Sequence, residues 1–143
     1  MSDDNIVIET GDWATLGGTC SHIRRVVFIQ EQGVDESEEL DALDTECTHF
    51  LIRDGQIPCG TARLLPDGHI GRVAILKTHR GRGLGAELMH HIIAHARAQG
   101  FIRCELSAQT RATGFYEQLG FLAHGEIYME AGIPHRDMTL ALA

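Results

Sequence analysis

Residues 80–85 read RGRGLG, three glycines and two arginines directly ahead of a stretch with the periodicity of an amphipathic helix. A helix N-terminus presents unpaired backbone N–H groups and the positive end of the helix dipole, and glycine removes the Cβ atoms that would hold an anion away. Gly81, Gly83 and Gly85 could thus wrap backbone donors around a phosphate or pyrophosphate, with Arg80 and Arg82 adding charge. The same residues would also serve as a plain strand-to-helix turn bearing two surface arginines. A nucleoside-triphosphate loop ends in Gly-Lys-Ser/Thr, whereas Leu84, Gly85 and Ala86 stand here. The dinucleotide pattern Gly-x-Gly-x-x-Gly/Ala is formally matched by Gly81, Gly83 and Ala86. That pattern belongs tight against a parallel strand, however, and here residues 77–80 intervene after a strand of an antiparallel meander.

Other chemistries find less support. Cysteines at positions 20, 47, 59 and 104 form no Cys-x-x-Cys pair, so they are expected to be reduced, mostly buried thiols. His91 and His95 stand four apart, but HIIAH has isoleucine where a zinc protease needs its glutamate, so they read as helix-flank residues and no metal is expected. The formal net charge of −8 repels phosphate polymers and anionic membranes, which argues against nucleic acid and membrane as partners. The start of the chain, MSDDNIVIET, is acidic where a signal peptide is basic, and no apolar run approaches membrane-spanning length, so a cytoplasmic protein is expected.

The elements that must position the glycine loop follow from periodicity. A strand is expected over residues 6–10, then a helix carrying Ile23, Val27 and Phe28. The acidic stretch EQGVDESEELDALDTE is expected to be a loop or short solvated helix, one that would bias a nearby pocket toward cationic amines. HFLIR, IPCGTARLL and GHIGRVAIL, separated by the turn signals DGQ and PDG, predict an antiparallel meander. After the loop, Leu84, Leu88, Ile92 and Ala96 recur every fourth residue up to Gly100, a helix with a glycine stop. FIRCELSA alternates as a strand, a short helix runs from about Thr110 to Gly120, and GEIYME and HRDMTLAL form the last two strands around a Gly-Ile-Pro corner. A length of 143 residues without repeats or linkers predicts one domain over residues 1–143.

VAILKTHRGRGLGAELM resembles the acetyl-CoA-binding motif of the GNAT (GCN5-related) N-acetyltransferases, Gln/Arg-x-x-Gly-x-Gly/Ala, with Arg80, Gly83 and Gly85 in the defining places. LSAQTRATGFYEQLGF resembles the second motif of that family, and VVFIQEQGV, GTARLLPDGHIGRVAI and EAGIPHRDM are similar to its ElaA/YjcF-type branch. The resemblance implies an α+β fold: a seven-stranded mixed, mostly antiparallel sheet flanked by about four helices, with the cofactor where two central strands splay apart.

It also implies roles. The main chain of Val73, Ala74 and Ile75 would lie along the pantetheine arm and thioester, and that of Arg80, Gly81, Arg82, Gly83, Leu84, Gly85 and Ala86 around the pyrophosphate. Tyr116 would be the acid that protonates the departing thiolate, and a phenol with a pKa near 10 is proton-loaded at neutral pH. His135 would be the base that deprotonates the amine, with Glu31, Glu46, His49 and Glu130 in reserve. Each of these two side chains could instead be ordinary architecture, Tyr116 as a surface aromatic and His135 as a strand-end histidine bonded to loop backbone. Gln109 stands where the family carries a polar cofactor contact, more commonly asparagine. The implied activity is acetyl transfer from acetyl-CoA to the primary amine of a small molecule, amino acid or peptide by direct attack in a ternary complex. A non-catalytic acyl-CoA-binding domain is the alternative, and a homodimer is a possible assembly.

Overall fold

The computed structural model describes residues 5–142. Seven strands form one sheet in the order β1-β2-β3-β4-β5-β7-β6: β1 Ile6–Gly11, β2 Thr48–Asp54, β3 Ile57–Leu64, β4 His69–Ile75, β5 Arg103–Gln109, β6 Leu122–Glu130 and β7 Ile133–Ala141. All neighbours run antiparallel except β4 and β5, which are parallel. Four α-helices accompany them: α1 Trp13–Arg24, α2 Glu36–Glu39, α3 Leu84–Ala98 and α4 Thr113–Gln118. The expected α+β class, with its mixed and mostly antiparallel sheet, is the one observed.

Alternation within strands sends side chains to two separate cores. Phe50 and Ile52 of β2 face α3, joining Leu88, Met89, Ile92 and Ala96 of that helix together with Leu106, Ala108 and Met138. Leu51, between them in sequence, faces the other way and packs with Leu16, Cys20, Ile23 and Val27. Fully burying one such side chain contributes roughly 1.5–3 kcal/mol, so the two apolar faces fix how α1 and α3 flank the sheet.

The first helix starts earlier than the spacing of Ile23, Val27 and Phe28 suggests. Asp12 caps it, its carboxylate accepting from the Thr15 N–H at 2.9 Å. Gly17 sits beneath Trp13, where a Cβ would come within 2.7 Å of the indole, so close packing and not intrinsic propensity holds this glycine-containing segment. Beyond Arg24 the chain continues as a π-helical segment, Arg25–Glu31.

The acidic stretch holds the short helix α2 and is mostly exposed, in keeping with the expected short solvated helix, but two of its carboxylates are not solvated. Glu39 and Asp44 are buried as counterions of Arg24 and Arg63: Arg24 contacts both acids, and Arg63 bonds to Asp44 and Asp41. A charge leaves water at a cost of several kcal/mol unless it is paired, and here every buried guanidinium has carboxylate partners. The last turn also differs from expectation. It is formed by Ala131 and Gly132, both with positive φ, and Pro134 falls inside β7. Proline is tolerated there because the ladder with β5 ends at the Gln109–His135 pair, leaving Pro134 a neighbour on one side only.

Candidate active site

Strands β4 and β5 face each other at two residue pairs only, His69 with Glu105 and Ile70 with Leu106, and no later pairing joins them. Past Ile70 the strands part, and the gap opens into a cavity of about 670 Å³. Next to the parting, β4 carries a bulge against β3, and Arg72 within it has φ of 54°. A left-handed conformation at a non-glycine residue costs of order 1 kcal/mol and persists where surrounding contacts fix it. Here the contacts are the guanidinium bonds to Glu39 and Asp41 and to the carbonyl oxygens of Glu38 and Glu39. Arg72 thereby ties the acidic segment, which forms one wall of the cavity, to the strand beside the gap.

Val73, Gln109, Tyr116 and His135 all line this cavity, so residues from four separate elements converge on it. Ala74 is buried in the α1-side core and Ile75 packs against the α3-side core, so neither projects a side chain into the gap. The glycine loop lies outside the cavity, at the adjoining end of α3. Gly83 is the N-cap of α3 with φ of 77°, Gly81 has φ of 81°, and Leu84 anchors the turn by burying its side chain. Gly85 and Ala86 follow in the first helical turn. A Cβ on Gly85 would meet the Phe115 ring at 3.4 Å and Ile75 at 3.9 Å, so the loop borders both the end of β4 and the residue preceding Tyr116. Glycine conformations, an open helix N-terminus and parted strands fit an extended ligand with an anionic group at one end. Arg80 and Arg82 are both engaged, Arg80 with Glu31 at 2.9 Å and Arg82 with Asp54 at 3.3 Å.

Tyr116 stands edge-on to Phe115 and Phe121, with ring centroids 5.0 and 6.0 Å away. Burial alone pushes its hydroxyl up to about 12, with no charged or hydrogen-bonding neighbour contributing. The phenol therefore keeps its proton throughout the neutral range.

His135 lies in β7, not in the loop before it, and is 7% exposed. Its Nδ1 bonds to the carbonyl oxygen of Ile133 at 2.7 Å, and Nε2 is 3.8 Å from the Glu130 carboxylate. The Tyr128 ring stacks on the imidazole at 6.2 Å between centroids. That phenol is itself held by the Ser107 hydroxyl and by Asp137, to which it donates at 2.6 Å. Among the reserve bases, Glu130 lines the cavity, while Glu31 is paired with Arg80 and Glu46 is exposed away from it. His49 is buried elsewhere, bonded to the Asp44 carbonyl oxygen at 2.8 Å, and burial lowers its pKa.

Sequence reasoning missed Arg72, Tyr128 and the cavity-lining Gln32, whose side-chain oxygen accepts from Gln109 at 2.9 Å. One signal for Arg72 was present: an arginine inside the apolar run GHIGRVAIL requires a counter-charge, and the acidic stretch is the concentrated source of it. His91 and His95 both pack edge-on to Phe50, and His91 also bonds to Thr10. Among the described residues no group of three or more His, Cys, Asp or Glu side chains could hold a metal ion, and no helix is long and apolar enough to cross a membrane.

Comparison with known proteins adds an independent line. A family model described as the acetyltransferase (GNAT) domain matches residues 24–142. The chain is 38% identical over 124 residues to the uncharacterized N-acetyltransferase YjcF of Bacillus subtilis, covering 82% of this chain and 86% of the relative. An acyl-CoA N-acyltransferase from Pseudomonas aeruginosa superposes with a TM-score of 0.84 at 32% identity, over 95% of this chain and 99% of the other. Escherichia coli ElaA superposes with a TM-score of 0.84 at 26% identity, over 94% and 98% of the two chains.

Proposed function

The chain belongs to the acetyltransferase (GNAT) family, of the ElaA/YjcF-type branch, and on that premise we propose that it transfers the acetyl group of acetyl-CoA to the primary amine of a small molecule, amino acid or peptide. The observation that carries this reading is the meeting of Tyr116 and His135 on one cavity, at the place where β4 and β5 part. Acetyl-CoA supplies an activated thioester; the protein supplies position and proton transfer.

The residues divide the work along the gap. Main-chain groups of Val73, Ala74 and Ile75, which have no ladder partner in β5, are available to an extended arm, except the Ile75 carbonyl oxygen, which accepts from Arg80 Nε. The backbone of residues 80–86 at the start of α3 takes the pyrophosphate. His135 holds its Nδ1 proton on Ile133, which leaves the Nε2 lone pair to accept a proton from the substrate ammonium, and the neutral amine so formed attacks the thioester. Tyr116, proton-loaded by burial, gives a proton to the departing sulfur. Gln109, paired with His135 across the β5–β7 ladder, braces the cavity wall against Gln32. All four cysteines are buried, which favours direct attack over a covalent acetyl-cysteine intermediate. The single seven-stranded sheet supports reading the chain as one domain.

Thermal unfolding with acetyl-CoA, NADH and ATP tests the cofactor, because a ligand at about 100 times its Kd adds roughly 2.7 kcal/mol. Stabilisation by acetyl-CoA alone is expected, followed by free-thiol release when a panel of amines is added. Stabilisation without turnover of any amine would favour the non-catalytic acyl-CoA-binding alternative. An absence of stabilisation by acetyl-CoA would remove the proposed cofactor.

A further inference from the structure

Arg80 has its whole phosphate-binding edge occupied by a carboxylate. Its Nε donates to the carbonyl oxygen of Ile75 at 2.8 Å, and its two terminal nitrogens meet the two carboxylate oxygens of Glu31, both at 2.9 Å. Such a forked contact is also the geometry in which arginine holds a phosphate. Glu31 comes from outside the loop, as the last residue of the π-helical segment.

We propose that Glu31 is a stand-in for the cofactor phosphate: it holds the outer edge of Arg80 in the free protein, is exchanged for the pyrophosphate when acetyl-CoA binds, and thereby sets cofactor affinity. The inference rests on the reading of residues 80–86 as the pyrophosphate loop. Three observations carry it. The bond to Ile75 fixes the guanidinium from its inner side whichever anion occupies the outer edge, so Arg80 does not depend on Glu31 for its position. The pair is part-exposed, 42% for Arg80 and 30% for Glu31, and such pairs contribute little to stability, so the exchange is cheap. A carboxylate left beside an arriving pyrophosphate repels it, and the loop already faces a second carboxylate, Asp54, which meets Arg82 and His79 at 3.3 and 3.2 Å. Release of Glu31 also frees the end of the segment leading into Gln32, which lines the cavity.

The test is the Kd of acetyl-CoA, measured by calorimetry, for the wild type, Glu31→Gln, Arg80→Met, the double variant and Glu36→Gln. Glu36 is another part-exposed glutamate, paired with Arg25 and not with Arg80, so its variant controls for lowered net charge. The Glu31→Gln protein is expected to bind about fivefold tighter, because no Arg80–Glu31 pair then has to be broken before the pyrophosphate takes the outer edge of the guanidinium. Glu36→Gln should leave Kd unchanged, and the gain from Glu31→Gln should vanish in the Arg80→Met background. Unchanged or weaker binding by Glu31→Gln, or equal tightening by Glu36→Gln, would overturn the proposal while leaving the loop reading intact. A wild type that does not bind acetyl-CoA at all would instead overturn the loop reading and this inference with it.

Discussion

His135 donates its Nδ1 proton to the carbonyl oxygen of Ile133 at 2.7 Å, and this bond decides which ring nitrogen keeps its lone pair. A carbonyl oxygen only accepts, so the neutral ring must carry its proton on Nδ1 and its lone pair on Nε2. If that lone pair receives the substrate proton, His135→Ala is expected to lower kcat/KM about 100-fold. An unchanged kcat/KM would pass the role to Glu130, the reserve carboxylate on the same cavity.

Tyr116→Phe keeps the edge-on ring packing and removes only the hydroxyl. Loss of a general acid predicts a kcat about 100-fold lower with little change in KM for acetyl-CoA. Because burial holds the phenol at about 12, it stays protonated across ordinary assay conditions, so the deficit should be the same at pH 6 and pH 9. An unchanged kcat would take Tyr116 out of the mechanism.

The glycines of the loop should separate by cause. Gly83→Ala meets no atom but forces alanine into φ of 77°, so it should cost roughly 1 kcal/mol of stability, readable as a lower Tm. Gly85→Ala has an ordinary helical environment and a Cβ contact of 3.4 Å with Phe115, so Tm should hold within a few degrees. Its effect should appear as weaker acetyl-CoA binding, because the new methyl group occupies the approach to the backbone donors.

The ion network beneath the acidic segment predicts both a mutational and a pH effect. Asp44→Ala leaves Arg24 and Arg63 without a shared buried partner and should destabilise by about 3–5 kcal/mol in denaturant unfolding. Hydrogen bonds from Arg63 hold the Asp41 carboxyl down to about 2, and although burial opposes it, Arg24 and Arg63 also keep Asp44 below its ordinary value. Lowered carboxylate values stabilise the folded state above the unfolded range near 3.9, and that contribution is lost as pH falls toward 2. Stability should therefore drop between about pH 4 and pH 2, and Asp41→Asn should flatten the drop.

Burial raises the pKa of all four thiols, and none is bonded to another. A disulfide-exchange reagent should label none of them in the native protein at pH 8 and all four after unfolding in guanidinium. Rapid native labelling of one cysteine would reopen a covalent intermediate.

What the sequence disclosed was what depends on neighbours along the chain. The fourfold repeat of Leu84, Leu88, Ile92 and Ala96 marks α3, and alternation marks β5, because helix and strand faces are written locally. The parting of β4 and β5 is a missing interaction between strands separated in sequence by the whole of α3, so no local pattern announces it. The bulge at Arg72 and the burial of Glu39 and Asp44 are hidden for a related reason: each depends on guanidinium groups brought from α1, β3 and β4 by the fold. The early start of α1 was masked by Gly17 and Gly18, whose weak propensity is overridden at Gly17 by contact with Trp13. Family resemblance supplied the proposed positions of Tyr116 and His135. Tyr128, stacked on His135 and pinned by Asp137, became visible only once β6 and β7 were paired.

The shortest ladder in the sheet is the one between β4 and β5. In mechanical terms the molecule is two stiff plates joined along a seam stitched at one end, and strain placed on the sheet gathers at that seam. The line along which the sheet has the fewest ladder pairs is also the line along which it would hold its substrate. A compound lodged there acts as a rivet, so the rigidity of the folded chain becomes a gauge of how much of that compound surrounds it.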